Sequence, residues 1–481
     1  MASTPPPSQP VPAALTPSIS RRLAQFAADF DHGAIPSAVA RRARYLILDA
    51  VGTALAATQF DFAHRSFSGI ADLAGDGDAV VIGFSRKLPL RDAVLMNGIL
   101  VHGLDFDDTH PGAITHPSAS AFPLALGLAA QRHATGAEMI TAYVLAIEVA
   151  ARLGAAARGG FHNVGFHPTG LVGAFGCALA AGKLMGLDQA ALEHAQGVVL
   201  SMASGSMEFL SDGAWTKRMH PGWAGVSGLT ATALAGAGFC GPSQPYEGRF
   251  GLYASHLAAR GLSADLSLCT RGLGERWELL EVAVKLYPTC HFTHASIDAA
   301  LALRAAGLRA DEIASVQVLL PPGVHPVVCE PVAAKRRPAN VYESQFSIHH
   351  LVALALLRGE LGLVELDAAN LSDPQVQALA DRIEHAADPD ADYPTFFSGE
   401  LRVRTHDGRE FRRRESAHRG APDRPITAAD IEAKFMGNAL PALPRDQALR
   451  LRDAVLSADR APDAAILAQT LTQFNNTPGA L

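Results

Sequence analysis

The stretch His102 to Ser118, HGLDFDDTHPGAITHPS, concentrates groups that can move protons. Asp105, Asp107 and Asp108 close an apolar, helix-like run. Thr109, His110 and His116 follow within one loop, and Pro117-Ser118 opens another apolar run. Three carboxylates and two imidazoles between apolar helices are costly unless each has a partner or a task. Continued as a helix, the spacing puts Asp105, Asp108 and Thr109 on one face. Repulsion there should raise at least one carboxylate pKa toward that of a working base. A metal held by an aspartate with His110 and His116 has suitable ligand types but no recognised spacing.

Other constellations suit an anionic ligand. His-Pro recurs at His116-Pro117, His167-Pro168 and His220-Pro221, each time before an apolar helical run; His110-Pro111 leads into a loop. Proline fits the first helical turn, so these histidines sit near helix N-termini, whose free N–H groups attract anions. Converging, they would form a polycarboxylate pocket. The segment DGAWTKRMHPGW brings Lys217, Arg218 and His220 together. Arginine can grip a carboxylate through two parallel bonds, and lysine can act as a point charge or proton donor. Finally, KLYPTCHFTH carries Cys290, His291 and His294. They look like zinc ligands but lack a matching second pair, so they are expected to face a cleft between domains.

The elements that must position these residues are mostly helical. The chain has 481 residues, 48% hydrophobic and only 6% aromatic, with Ala, Leu and Gly prominent, which favours closely packed helices. Residues 1–18 read as a disordered Pro-rich tail, without the basic and hydrophobic regions of a secretory signal. Helices are expected over Ser20–Phe30, Ser37–Ala57, from Pro89 into the aspartates, and over His116–Ala134, Gly136–Arg158, His167–Met185, Asp188–Ser201 and Gly222–Gly238. Asp49, inside the second, reads as a buried carboxylate bonded to nearby backbone or a helix end. Ala79–Gly83 reads as a brief strand. The texture changes after Glu275. A strand is expected at Ser315–Leu320, helices at Tyr342–Arg358 and Pro374–Ile383, and a hairpin turning at Asp407-Gly408. The fold class is therefore mainly α: a large helical domain (19–274, returning at 416–481) with a smaller α+β lid domain inserted at 275–415.

Several function classes drop out. The net charge of −7, with no basic block, argues against nucleic acid. No uninterrupted apolar run reaches the length of a membrane span. Five scattered cysteines, without a C-x-x-C pair, suggest a reducing, cytoplasmic setting and no iron–sulfur cluster. The Gly176–Leu184 region misses the P-loop spacing, no G-x-S-x-G elbow exists, and GAGFCG ends a helix instead of following a strand.

In their order and separation, LDFDDTHPGAITHPS, GFHPTG, DGAWTKRMHPGWAG and KLYPTCHFTHASIDAA resemble the MmgE/PrpD family over residues 20–470. That family includes 2-methylcitrate dehydratase, cis-aconitate decarboxylase and iminodisuccinate epimerase. The resemblance implies a helical domain with an α+β lid, a homodimer through the helical domain, and chemistry without cofactor or metal. It also implies a small di- or tricarboxylate with a C–H beside a carboxylate. Carried over by motif, the catalytic residues would be Asp105, His116, His167 and Lys217, with Thr109 in the pocket. Arg218, His220, Cys290 and His291 join as substrate-binding candidates. The chain departs from the family at two points. Cys290 stands where decarboxylases carry histidine, and DFDD stands where dehydratases tend to read DFND.

The expected reaction is proton abstraction beside a carboxylate followed by loss of water, with Asp105 or a nearby histidine as base and His167 or Lys217 as acid. Epimerisation or decarboxylation could use the same pocket. A turnover-deficient binding protein and a metal-dependent hydrolase are the rival classes.

Overall fold

The computed structural model describes residues 17–472 except 394, 422 and 423. The expected tail falls outside the described residues apart from Pro17 and Ser18, and Ser18 already caps the first helix by accepting from the Arg21 N–H. The chain is 59% helical with one four-stranded sheet, a mainly α fold with a small α+β part.

Five helices form the body around the site: Leu90–His102, Pro117–Gln131, Gly136–Ala156, Pro168–Met185 and His220–Gly236. They are apolar nearly all round, as helices buried on every side must be. Small residues set how closely they approach. A Cβ on Gly98 would lie 2.3 Å from the Gly222 Cα, and one on Gly176 would lie 2.3 Å from the Ala146 carbonyl oxygen. The backbones therefore touch, and Leu90–His102 lies directly against the start of His220–Gly236. The Ala and Gly content is what permits this spacing.

Two of these helices, Gly136–Ala156 and Pro168–Met185, are long and apolar enough to cross a membrane, which corrects the sequence reading that no run is. Their most apolar windows are 94% and 83% buried inside the protein, so the core accounts for their composition.

Hydrophobic residues collect in two cores. One runs from Ile19 to Val284 and takes in Ile431–Leu471. The other joins residues 287–403 with Ile114 and Phe209 from the helical body. In the second, β1 (Ile313–Leu320), β2 (Ile383–Ala387), β3 (Gly399–Thr405) and β4 (Glu410–Glu415) align in the order β2-β1-β3-β4. β1 and β2 run parallel, and the other pairs are antiparallel. The β3–β4 turn uses Gly408 at φ +88°, a conformation glycine adopts freely. Arg412, Arg413 and Arg414 place charge along the edge strand β4, which discourages pairing with another chain.

Several expectations need correction. Ala79–Gly83 has only an isolated bridge from Ala79 to Leu88. The Asn97 side chain accepts from the Ile82 N–H (2.9 Å) and donates to the Val80 carbonyl (2.8 Å), standing in for a neighbouring strand. The helix expected over Tyr342–Arg358 breaks into Val341–Ser344 and Ile348–Arg358, because the Ser347 side chain caps the second. β2 was not expected; the preceding helix stops at Ala380. Asp49 pairs with Lys434 (2.6 Å) on the returning helix Ala428–Ala439, not with nearby backbone. Lys434 also donates to the Phe106 carbonyl (2.7 Å), tying that helix to the aspartate segment.

Candidate active site

The helix Leu90–His102 ends before the aspartates, so they share no helical face. Asp105 adopts φ +49°, which turns the chain away. Lys285 holds that strained turn, donating to the Asp105 carbonyl (2.8 Å) and to its Oδ1 (2.6 Å). Lys217 stands 3.0 Å from the same oxygen.

The three carboxylates then diverge in partners and in charge. Burial pushes Asp105 up, but Lys217 and Lys285 outweigh it and hold the group well below the usual range. Burial also works against ionised Asp107, yet His102 (Nδ1–Oδ2 2.8 Å) and His116 (Nδ1–Oδ1 3.5 Å) bring its pKa down. Asp108 forms no ion pair among the described residues, and the more distant Arg42 does not offset its burial. Burial, opposed by Ser118 and reinforced by Asp107 and Asp49, raises it to about 8. One carboxylate is thus raised, by burial more than by the repulsion expected, and it is Asp108 and not the candidate base Asp105. Asp108 accepts from the Ser118 N–H (3.1 Å) and bonds the Ser118 hydroxyl, which meets the Tyr143 hydroxyl at 2.5 Å. The helix N-terminus at His116 is therefore already capped by a carboxyl group and is not open to substrate.

His116 and His167 are N-cap residues, whereas His220 is the first residue of its helix. The His116 N–H donates to Thr169 Oγ1 (3.0 Å). Its Nδ1 lies 3.0 Å from the Asp108 carbonyl, an acceptor only, so Nδ1 carries the proton and Nε2 keeps its lone pair. That Nε2 lies 3.8 Å from Asp105 Oδ1. Burial, partly offset by Asp107, lowers His116 to about 3, so it is neutral. His167 is held between Thr169 Oγ1 at Nε2 (3.1 Å) and His220 Nδ1 at Nδ1 (3.1 Å), and burial keeps it neutral too.

Asp105, Thr109, His116, His167, Lys217, Cys290 and His291 line one cavity, together with His162, Phe346 and Phe397. Two candidates do not line it. Arg218 stacks between Phe62 (4.2 Å) and Tyr342 (4.0 Å) and donates from Nε to the Gly103 carbonyl (2.9 Å). It braces the end of the Leu90–His102 helix and stands outside the cavity lining. His220 lies behind His167.

Residues 21–264 match the MmgE/PrpD N-terminal domain, and residues 287–460 match the MmgE/PrpD C-terminal domain. The chain belongs to the MmgE/PrpD family. It is 28% identical to human cis-aconitate decarboxylase over 458 residues, 91% of each chain. It is 26% identical to the cis-aconitate decarboxylase of Aspergillus terreus over 475 residues, 94% of this chain and 96% of that one.

In this MmgE/PrpD chain some site residues escaped the sequence. Lys285 sat in the KLYPTCHFTH motif, but nothing local showed that it reaches Asp105, 180 positions earlier. His102 closes an apolar helix and reads as core, yet its ring centroid lies 4.5 Å from that of His116. Phe346, 4.9 Å from the Lys217 ammonium, carried no signal.

Nitrogens of His102, His116 and His167 lie within 4.8 Å of one another, as do ligand atoms of His102, Asp105, Asp107 and His116. The second group fits a divalent cation poorly, because Asp105 already lies against two ammonium groups. His110, the metal partner considered from sequence, faces Glu278 instead (3.1 Å).

Proposed function

We propose that this chain is a cofactor-independent lyase that makes and quenches a carbanion beside a carboxylate of a small di- or tricarboxylate. One observation carries the reading: the Lys217 and Lys285 ammonium groups and the lone pair of neutral His116 meet at Asp105 in one buried cavity. The two ammonium groups on Asp105 supply positive potential on the cavity side, with the next carboxylate, Asp107, taken up by His102, and that potential attracts an anion and stabilises enolate-like charge. His116 is suited to take the proton at Nε2, since it is neutral and its other nitrogen is occupied. Asp105 serves better as the anchor of the two lysines than as a base, because they hold it ionised at low pKa. Lys217 or His167 supplies the returning proton. The cavity leaves room of only about 40 Å³, so a tricarboxylate enters when the part carrying Cys290, His291 and Phe346 draws back as a lid.

The second bond broken has two readings. The names of the relatives favour loss of CO2 from an unsaturated tricarboxylate. Cys290, at the position where the decarboxylase pattern has histidine, counts against that and leaves loss of water from a hydroxy acid, against which DFDD in place of DFND counts in turn. Reprotonation alone would make the protein an epimerase. NMR of a panel of di- and tricarboxylates in deuterated water separates the three. Neither product formation nor deuterium uptake with any acid would sink the proposal. Full turnover by both Asp105→Ala and Lys217→Ala would sink the mechanism.

The reading includes a cytoplasmic homodimer formed through the helical part. Trp215, Met219 and Trp223 are 44%, 38% and 40% exposed close along the chain to Lys217, apolar surface that a second subunit would cover. Sedimentation as a monomer at micromolar concentration would remove the dimer from the reading.

A further inference from the structure

A second cavity, about 280 Å³, lies next to the active one, with Arg158, Arg276, Phe397 and His418 in its lining. Phe397 lines both cavities, His291 the inner and His418 the outer. The partition is therefore made of rings. The His291 and His418 centroids are 3.8 Å apart with planes at 54°, and Phe397 lies 6.1 Å from each. All four ring nitrogens of the two histidines are buried without a hydrogen-bond partner among the described residues. The imidazoles of His116 and His167, by contrast, have partners at hydrogen-bonding distance. Unsatisfied buried nitrogens are costly, and leucine or phenylalanine would fill the same space without that cost.

We propose that His291 and His418 form a proton relay between the outer cavity and the active cavity. The inference rests on the lyase reading: the proton taken from the C–H stays on His116, while the carbon or the leaving oxygen takes one from a different donor, and inside so small a cavity that donor must be recharged from outside. A water or buffer acid in the outer cavity protonates one nitrogen of His418. The two rings, 3.8 Å apart between centroids, share no N–H···N bond as they stand, so a turn of one ring brings an N–H of His418 to a nitrogen of His291 and the proton passes. His291 releases the proton on its far nitrogen into the active cavity, recharging Lys217 or His167 after that group has protonated the substrate. One proton crosses inward, the outer donor is left as its conjugate base, His116 gives up the abstracted proton to solvent when product departs, and ring rotation restores the tautomers.

The groups facing the pair are His294, Lys285, Arg424 and Phe397. Burial, then the neighbouring imidazoles and Lys285, keep His291 neutral; burial, Arg424 and Lys285 lower His418 to about 3. Each ring therefore offers an N–H and a lone pair together, which a hop requires.

The test uses the full chain and an acid that it turns over. His418→Ala should lower kcat by roughly tenfold or more, and kcat should then rise with buffer-acid concentration and with added imidazole. Binding of the acid, measured by calorimetry, should stay unchanged. His418→Phe, which keeps the ring but cannot carry a proton, should show the loss without the rescue. Unchanged kcat in both variants overturns the relay. So does a loss in the folded alanine variant that neither buffer nor imidazole moves, since that marks a packing role. Absence of turnover by the unaltered chain on every acid strikes the lyase reading itself, and the relay falls with it.

Discussion

Asp108→Asn tests whether a carboxyl group beside the site is kept protonated near neutral pH. Burial without an ion-pair partner among the described residues places Asp108 at about 8, against ~3.9 in an unfolded chain. Between those values the folded protein binds a proton that the unfolded chain has released. Stability therefore falls as pH rises, by up to ~1.4 kcal/mol per unit from this group alone. The contribution is complete below the unfolded value and is lost as pH passes the folded one. Asparagine imitates the neutral acid. Its carbonyl can accept from the Ser118 N–H and its NH2 can donate to the Ser118 hydroxyl. The gap between wild type and Asp108→Asn should thus shift by about 2.7 kcal/mol between about pH 5.5 and 7.5, to the disadvantage of wild type at the higher pH. Other titrating groups are common to both proteins and cancel. Denaturant unfolding at both pH values reads the gap directly. An equal gap at both would refute the reasoning, since Asp108 would then be ionised throughout. Asp108→Ala should instead cost ~1–3 kcal/mol at either pH, because the Ser118 N–H and hydroxyl lose a partner.

His116→Gln should reduce kcat by about 10²–10⁴-fold with little change in fold, and wild-type kcat should stay level from neutral pH to about 5, because His116 gains its proton only at about 3. A rate that halves near pH 6.5 would show the base to be an ordinary imidazole. Arg218→Lys should lose about 1–2 kcal/mol of stability as the stacking on Phe62 and Tyr342 weakens, with KM nearly unchanged. A large rise in KM at unchanged stability would return Arg218 to the substrate. Lys434→Met leaves Asp49 buried without its partner and should cost about 3–5 kcal/mol, most of it recovered in the double variant with Asp49→Asn. Failure of the double variant to recover would show that Lys434 acts mainly through the Phe106 carbonyl.

The sequence alone determined much of this protein, because the signals concerned are local. Helix limits at Ser37–Ala57, Gly136–Ala156 and Pro168–Met185 follow from apolar runs bounded by Pro36, Thr135 and Gly186. The hairpin follows from Asp407-Gly408, and the His-Pro pairs mark helix starts at His116 and His167. The motifs were sufficient to point to the family and to most of the polar residues lining the cavity, though not to its apolar walls. Only the tertiary structure decided what each group can do. Whether an aspartate is a base depends on which cations lie within a few ångströms, and Lys217 and Lys285 reach Asp105 from more than a hundred positions away. The same holds for the tautomer of His116, fixed by the carbonyl of Asp108, and for Arg218, whose charge is taken up by aromatic faces. Backbone pattern is written along the chain; protonation state is set by distance in space, which no spacing in sequence records.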